Sequence, residues 1–209
     1  MGLGGVGEEE LFALISLQVL YLYINSPMNQ PRSLCLVLFA SMGPVREEPD
    51  DLREEELKHL QRCLELAEEA LKAGDQPFGS VLVDENNKVL AEARNRVNEL
   101  SHLAHPELEL AHWAAENLTA AQRKKTVMYT SGEHCPMCAT AHGWMGLGKI
   151  VYIHSAAQLG AWLQEWEVPP PPVSFYPVNK LVPGIAVKGP VPQLLERIRE
   201  LHRRYYASL

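Results

Sequence analysis

Two short motifs constrain the fold of this chain more than any other feature, and both carry side chains that bind metals. They are His105-Pro106-Glu107 and Cys135-Pro136-Met137-Cys138. Pro106 suits the first position of a helix, where its missing N–H costs nothing, and Cys135 is predicted to begin a second helix. Histidine and cysteine ligands suit zinc. We therefore expect a fold in which the starts of two helices meet at one metal ion.

Length and cysteine content indicate one ordinary domain with extra sequence. The chain has 209 residues and 46% apolar residues, enough for a core. Four cysteines in a chain of this length do not make a disulfide scaffold, so the Cys-x-x-Cys pair is better interpreted as a metal clip in a reducing compartment. Cys35 and Cys63 are expected to be free thiols. The sequence thus favours a cytoplasmic protein.

The net charge of −7 is unevenly distributed along the chain. Residues 1–51 contain two basic and seven acidic residues, which leaves only −2 for the other 158 residues. A nearly neutral domain offers no general field that attracts phosphate. The charge therefore disfavours a nucleic-acid substrate, although the run Arg123-Lys124-Lys125 leaves a local basic patch open.

The first 51 residues are expected to form an extension of uncertain role. Their two apolar runs, residues 11–24 and 34–42, are shorter than the roughly 20 residues of a membrane-spanning helix. The first run follows three glutamates instead of the basic region of a secretory signal. Three interpretations stay open: a disordered or loosely packed extension, a segment that binds a membrane interface or a partner, and a targeting peptide.

Hydrophobic periodicity predicts strands alternating with helices, which is typical of an α/β sandwich. The predicted helices are residues 57–71, 106–117, 135–146, 156–166 and 192–206. The predicted strands are 78–83 and 88–95, which should form a hairpin, then 126–130, 149–154 and a short edge strand at 185–187. The proline run at residues 169–172 should form a stiff connector before the last strand and helix.

Glu107 falls on the inward face of its predicted helix, together with Ala111, Ala114 and Leu118. An ionised carboxylate buried without a partner costs several kcal/mol, so this position needs a nearby cation or a role in proton transfer. If only three of the four metal-binding side chains ligate zinc, a coordination position stays open for water, as in catalytic zinc sites. The remaining residue, Glu107, is then free to move protons.

The sequence His-x-Glu followed by a strand and Cys-x-x-Cys resembles the zinc-dependent cytidine and deoxycytidylate deaminase superfamily. The resemblance covers about residues 55–155. Within the superfamily, the segments 76–83 and 129–133 and the residue Asn95 look most like the guanine deaminase and nucleoside deaminase branch. The related tRNA adenosine deaminases share much of the same layout.

The resemblance implies a three-layer α/β/α sandwich with a mixed sheet of about five strands. It implies one zinc ion per chain, bound by His105, Cys135 and Cys138, with Glu107 as the proton shuttle. The expected reaction is hydrolytic deamination of a free nucleobase or nucleoside, guanine first, in residues 52–166. Residues 167–209 are expected to pack on this domain, and the chain is expected to form a homodimer. The alternatives are a tRNA adenosine deaminase and a non-catalytic zinc-stabilised binding module.

Three further residues are candidates for substrate binding, each with a plainer alternative. Asn95 is expected to bind the base or the sugar, or else to satisfy backbone groups in a turn. Phe78 is expected to stack on the base, or else to be a core residue. Trp144 is expected at the substrate, with core packing as its alternative.

The sequence departs from the superfamily pattern in three places: Pro106, His134, and residues 100–104 before His105. His134 is expected to lie beside the metal site or to face solvent, and its use as a substituted ligand stays open. His142 is expected to be a hydrogen-bonded core residue. The other histidines are interpreted as surface or structural residues. The altered segment before His105 bears mainly on substrate choice.

Overall fold

The structure, a computed structural model, describes residues 52–209. The expectations for residues 1–51, including the free thiol of Cys35, lie outside the described residues. The elements in chain order are α1 (Glu54–Lys72), β1 (Gly79–Val83), β2 (Val89–Arg94), α2 (Pro106–Asn117), α3 (Ala120–Arg123), β3 (Val127–Gly132), α4 (Pro136–Met145), β4 (Lys149–His154), α5 (Ala156–Glu165), α6 (Val178–Leu181), β5 (Val187–Lys188) and α7 (Pro192–Tyr206).

The strands form one mixed sheet of five strands in the order β2-β1-β3-β4-β5. Strand β1 pairs antiparallel with both β2 and β3, so the predicted hairpin is confirmed. Strands β3, β4 and β5 run parallel. The carboxyl ends of β3 and β4 therefore lie at one edge of the sheet, where Gly132 is in register with His154.

Alternating strand residues bury both faces of the sheet. One face carries Val81, Tyr129 and Val151, which pack in a cluster with residues of α1, α5 and α7. On the opposite face, Leu82 and Met128 pack against α2. Ile150 packs on that second face with residues of α4 and α6. Helices on both faces make a three-layer α/β/α sandwich, and the predicted fold class is confirmed.

The structure differs from the predicted elements where the chain has little periodicity. Strand β5 covers Val187–Lys188 instead of residues 185–187, and it pairs with only two residues of β4. Helices α3 and α6 were not predicted, because four residues are too few to show a helical repeat. No helix in residues 52–209 is both long enough and apolar enough to span a membrane.

Candidate metal centre and active site

The two motifs begin two helices, and the residue before each helix points its side chain at the same place. His105 and Cys135 both occupy the N-cap position, with extended backbones and a proline in the first turn that follows. Cys138 lies in the first turn of α4 and is fully buried. The nitrogen Nδ1 of His105 lies 3.6 Å from the sulfur of Cys135 and 3.6 Å from that of Cys138. The two sulfurs are 3.5 Å apart.

These spacings fit a zinc ion held by three donors. Ligands at zinc distances of about 2.3 Å for sulfur and about 2.0 Å for nitrogen, in a tetrahedron, lie about 3.5 to 3.8 Å from one another. One nitrogen and two sulfur donors are also the ligand chemistry that zinc prefers. Three donors leave the fourth position of a tetrahedron for water or substrate. The cofactor expected from the sequence is therefore zinc, in an open site.

The pKa values of the three donors are shifted in different directions. The hydrogen bond with Cys138 lowers the pKa of the Cys135 thiol to about 4. The same hydrogen bond, together with burial, raises the pKa of Cys138. Burial lowers the pKa of His105, but its hydrogen bond with Cys135 and the charge of Glu107 outweigh burial and raise it. Cys135 is thus the donor that loses its proton most readily, and zinc binds cysteine as the thiolate.

Glu107 lies in the first turn of α2 and is only 5% exposed. Burial is the largest cause of its raised pKa. Its oxygen Oε1 accepts a hydrogen bond of 2.9 Å from the hydroxyl of Thr130. The hydroxyl of Ser80 lies 3.3 Å from the same oxygen and donates to Thr130 at 2.9 Å. We call Ser80, Thr130 and Glu107 the hydroxyl cluster.

Ser80 and Thr130 were not among the functional residues expected from the sequence. They lie directly opposite each other on the antiparallel strands β1 and β3. Both are fully buried hydroxyls within otherwise mainly apolar strands. That combination was the available signal, since a buried hydroxyl needs a hydrogen-bonding partner.

Asn95 follows β2, and the structure fixes the orientation of its amide. Its backbone N–H donates to the carbonyl of Phe78, and its side-chain oxygen Oδ1 accepts from the N–H of Val97 at 2.9 Å. Because a backbone N–H can only donate, the oxygen must face Val97. The nitrogen Nδ2 is left buried and without a hydrogen-bond partner in residues 52–209. A buried unpaired donor is costly and indicates a place for an acceptor.

The other two substrate candidates have different surroundings. The ring of Phe78 packs against His154 and His202, with ring centroids 6.0 and 4.9 Å away. Gly132 leaves no room for a side chain there, because an added Cβ would lie 2.9 Å from Phe78 and 2.6 Å from His154. Trp144 is 85% exposed, so the alternative interpretation, that it packs in the core, is wrong, and its contact with the substrate stays a prediction.

His134 lies outside the group of three donors that the structure brings together. It is buried, and both ring nitrogens lack partners within residues 52–209. Its ring packs edge-on against His142 at 5.3 Å, and burial is the largest cause of its lowered pKa. The geometry therefore does not favour a ligand role for His134. His142 donates to the carbonyl of Gly148, as expected for a hydrogen-bonded core histidine.

A second group of buried histidines lies at the end of β4. His154 and His202 contact each other through their Nε2 atoms at 3.3 Å. Phe78 and Trp162 pack around them at ring centroid distances of 4.9 to 6.2 Å. We call these four residues the histidine cluster. Burial lowers the pKa of His154 to about 4 and is the main cause of the lowered pKa of His202.

The family model of the cytidine and deoxycytidylate deaminase zinc-binding region matches residues 53–154. This range contains the three donors and the hydroxyl cluster. A crystal structure of a protein in complex with 2,6-diaminopurine is 26% identical, with a TM-score of 0.55, and the match covers 75% of this chain and 83% of that one.

Three curated relatives each match about half of the chain. A probable cytosine deaminase of Schizosaccharomyces pombe is 33% identical, over 49% of this chain and 62% of its own length. A guanine deaminase of Bacillus subtilis is 38% identical, over 44% of this chain and 60% of its own. A tRNA-specific adenosine deaminase of Haemophilus influenzae is 30% identical, over 56% of this chain and 65% of its own.

The chain thus spans 60 to 65% of the length of these relatives. Their names differ in substrate but share one reaction type. With the matched motifs, the mixed sheet and the open three-donor site, residues 53–154 of this chain belong to the zinc-dependent cytidine and deoxycytidylate deaminase superfamily.

Proposed function

We propose that this chain is a hydrolytic deaminase that replaces an exocyclic amine of a free nucleobase or nucleoside with a carbonyl and releases ammonia, with guanine as the first candidate. The observation that carries the proposal is the buried carboxylate of Glu107 beside the three-donor site. A closed structural zinc site has no use for such a carboxylate. This speaks against a non-catalytic zinc-stabilised binding module.

We assign His105, Cys135 and Cys138 to zinc and Glu107 to proton transfer. When bound, zinc in an open three-ligand site makes water nucleophilic near neutral pH. Both hydroxyl contacts of Glu107 end on Oε1, which leaves Oε2 free of hydroxyl donors. Oε2 accepts one proton from the attacking water and passes it to the ring nitrogen. It then accepts the second proton from the new hydroxyl group and passes it to the departing amine, so that ammonia leaves and a carbonyl remains. The raised pKa of Glu107 suits a group that both accepts and returns a proton.

The preference for a free purine base rests on two kinds of support. A relative 38% identical is named a guanine deaminase, and the structural relative described above is a complex with 2,6-diaminopurine. In this chain, the buried Nδ2 of Asn95 offers a hydrogen bond to an acceptor atom of the base. Phe78 and Trp144 are proposed to contact the base with their rings.

A substrate panel tests the proposal. The zinc-loaded protein is incubated with guanine, adenine, cytosine, their nucleosides and a tRNA, and released ammonia is measured. We expect turnover of guanine above all other compounds. Turnover of tRNA alone would overturn the choice of a small substrate, and stoichiometric zinc without any turnover would favour the binding module.

Variants of Asn95 test substrate recognition within that panel. Asn95→Asp keeps an acceptor for the N–H of Val97 but removes the donor, whereas Asn95→Ala removes both. Both should lower kcat/KM for the preferred base by about 5- to 150-fold, because loss of a hydrogen bond in a buried site costs about 1–3 kcal/mol. An Asn95→Asp variant with unchanged kcat/KM would show that Nδ2 of Asn95 does not donate a hydrogen bond to the substrate.

Metal content tests the ligand set independently of activity. Cys138→Ala should lower bound zinc from one ion per chain to near zero, measured by atomic absorption. Cys63→Ala is the matched control, since Cys63 is also a fully buried free cysteine but lies in α1. Full zinc content in Cys138→Ala would contradict the ligand assignment.

A tRNA adenosine deaminase is the second candidate, favoured by the relative of Haemophilus influenzae. Residues 52–209 carry a net charge of only −2, which gives no general attraction to phosphate. This weighs against tRNA, and the substrate panel decides between the two.

We also propose that the chain acts as a homodimer in the cytoplasm. Trp144, Leu100 and Leu103 are large apolar side chains that are 60 to 85% exposed, so they are accessible to a second copy of the chain. Sedimentation of the wild type should give a dimer, and Trp144→Ala should shift it towards monomer. A monomeric wild type would contradict the dimer. The grouping of Cys135 and Cys138 with His105 as metal donors, instead of as a disulfide framework, is typical of a reducing compartment.

A further inference from the structure

Asp75 is a fully buried carboxylate in the turn between α1 and β1. A buried charge is tolerated only when partners satisfy it. Asp75 Oδ1 accepts hydrogen bonds from the backbone N–H groups of Asn98 and Glu99 at 2.7 and 3.3 Å. Its Oδ2 lies 3.1 Å from Nη1 of Arg94. Every one of these partners lies within four residues of Asn95.

Arg94 continues the network to Asn95 itself. The same Nη1 that pairs with Asp75 also donates to the backbone carbonyl of Asn95 at 3.0 Å, and Nη2 donates to Glu99 at 2.6 Å. One buried carboxylate and one guanidinium therefore hold the backbone carbonyl of Asn95 and the backbone N–H groups of Asn98 and Glu99 that follow it. Charge-assisted hydrogen bonds of this kind are among the stronger ones.

The orientation of the Asn95 amide depends on that backbone. Its Oδ1 faces the N–H of Val97, which lies in the segment that Asp75 and Arg94 hold. If the N–H of Val97 moves, Nδ2 loses its fixed direction. The side chain of Asn98 adds a tie to α7, because its Nδ2 donates to the hydroxyl of Tyr205 at 3.2 Å and to the carbonyl of Gly74 at 2.7 Å.

We propose that Asp75 is a positioning residue that fixes the direction in which Asn95 presents its free Nδ2 donor to the substrate. Asp75 acts through Arg94 and the backbone of residues 97–99, without touching the substrate. The inference rests on the proposed function for the role of Asn95. Recognition of the base by Asn95 then depends on the buried charge of Asp75 in the turn between α1 and β1.

A double-mutant cycle distinguishes positioning from general support of the fold. Asp75→Asn keeps the size and one oxygen for the backbone N–H groups but removes the charge that Arg94 pairs with. We expect Asp75→Asn to lower kcat/KM for the preferred base about 10-fold, mainly through KM, and to leave zinc content unchanged. In the Asn95→Ala background the same substitution should change kcat/KM less than twofold. An equal loss in both backgrounds, or no loss in the first, would overturn the proposal.

Hydrogen exchange gives a second reading that needs no activity. The amide of Val97 should exchange slowly in the wild type and at least 10-fold faster in Asp75→Asn, measured by NMR. Glu165→Gln is the control, because it weakens the distant surface pair with Arg199 and should leave the Val97 amide unchanged. Unchanged exchange of Val97 in Asp75→Asn would refute the positioning role even in an active deaminase. Fast exchange without turnover of any small base would instead support the positioning role and refute the proposed substrate.

Discussion

Two buried polar clusters lie near the carboxyl ends of the neighbouring strands β3 and β4, and they accommodate burial in different ways. In the hydroxyl cluster, Thr130 donates to the carboxylate of Glu107, and Ser80 lies within reach of both. In the histidine cluster, His154 and His202 pack among aromatic rings, and Nδ1 of His202 has no partner within the described part of the chain.

The difference follows from what each group can become when buried. A neutral imidazole packs like an aromatic ring, and burial keeps His154 and His202 neutral. A carboxyl group is polar in both of its protonation states, so it needs hydrogen-bonding partners when it is buried. The hydroxyls of Thr130 and Ser80 take this role for Glu107 and fix its position. The hydroxyl cluster is therefore organised for proton transfer, whereas His154 and His202 serve for packing beside Phe78 and Trp162. Four predictions test this distinction.

The largest effect is expected from Glu107→Gln, which keeps the size of the side chain and removes its ability to transfer a proton. We expect kcat to fall by about 10² to 10⁴-fold, while zinc content and the thermal midpoint stay close to wild type. Steady-state kinetics and metal analysis measure both. Turnover within threefold of wild type would show that the hydroxyl cluster is structural, like the histidine cluster.

The pH dependence of stability should come from the histidine cluster. The pKa of His154 is about 4 in the folded chain, against about 6.5 when unfolded. Between these two pH values the unfolded chain binds more protons than the folded chain. The contribution of His154 to the free energy of unfolding is therefore fully present above about pH 6.5 and is lost as the pH falls towards 4. For His154 alone the loss approaches about 3 kcal/mol.

Urea denaturation at pH 7 and pH 4.5 measures this loss. A variant with both His154→Phe and His202→Phe should lose clearly less stability than wild type between the two pH values. This variant should still lose part of its free energy of unfolding between pH 7 and pH 4.5, because burial also lowers the pKa of His134 and His142. The exposed His112 gives the control His112→Gln, which should keep the wild-type slope. An equal loss of stability between the two pH values in the wild type, the double variant and His112→Gln would contradict the neutral packing of His154 and His202.

Removing one hydroxyl should have an intermediate effect. Thr130→Val keeps the shape and removes the donor to Glu107, and a hydrogen bond to a charged group is worth about 1.5–3 kcal/mol. We expect kcat/KM to fall about 10- to 100-fold, and Thr130→Ser to restore most of it. If Thr130→Val and Thr130→Ser behave alike, the hydrogen bond to Glu107 does not support catalysis.

The smallest effect is expected from His202→Phe, which keeps a ring in the aromatic packing and removes only the contact of 3.3 Å between Nε2 of His202 and Nε2 of His154. The free energy of unfolding at pH 7 should change by less than about 1.5 kcal/mol, and kcat/KM should stay within threefold. His202→Ala should cost about 3 kcal/mol or more through the cavity it leaves. A loss of activity in His202→Phe without a loss of stability would show that His202 itself takes part in the active site.

The sequence was sufficient for the parts of this molecule that depend on local pattern. Helical periodicity and Pro106 predicted α2 and the inward direction of Glu107, and the strand pattern predicted the hairpin of β1 and β2. The contacts that could not be predicted join residues far apart in the chain. The hydroxyls of Ser80 and Thr130 meet only through strand register, and His154 meets His202 only because α7 returns to the sheet.

Exposure of single residues was the least predictable property. A tryptophan in a mostly apolar helix favours the core, yet Trp144 faces solvent. The burial of Asp75 gave no local signal either, since an aspartate after a glycine is typical of a turn. Both depend on which elements pack nearby, and that information is absent from a short window of sequence.

The meeting of two helix starts at one donor site also links metal to folding. His105 and Cys135 are 30 positions apart in the chain, and only the assembled sheet and helices bring their side chains together. An ion that binds the folded chain alone adds about 2.7 kcal/mol of stability when its free concentration is 100 times its Kd. The melting temperature of this protein is therefore expected to report the free zinc concentration around it, rising as zinc is supplied and falling as a chelator removes it.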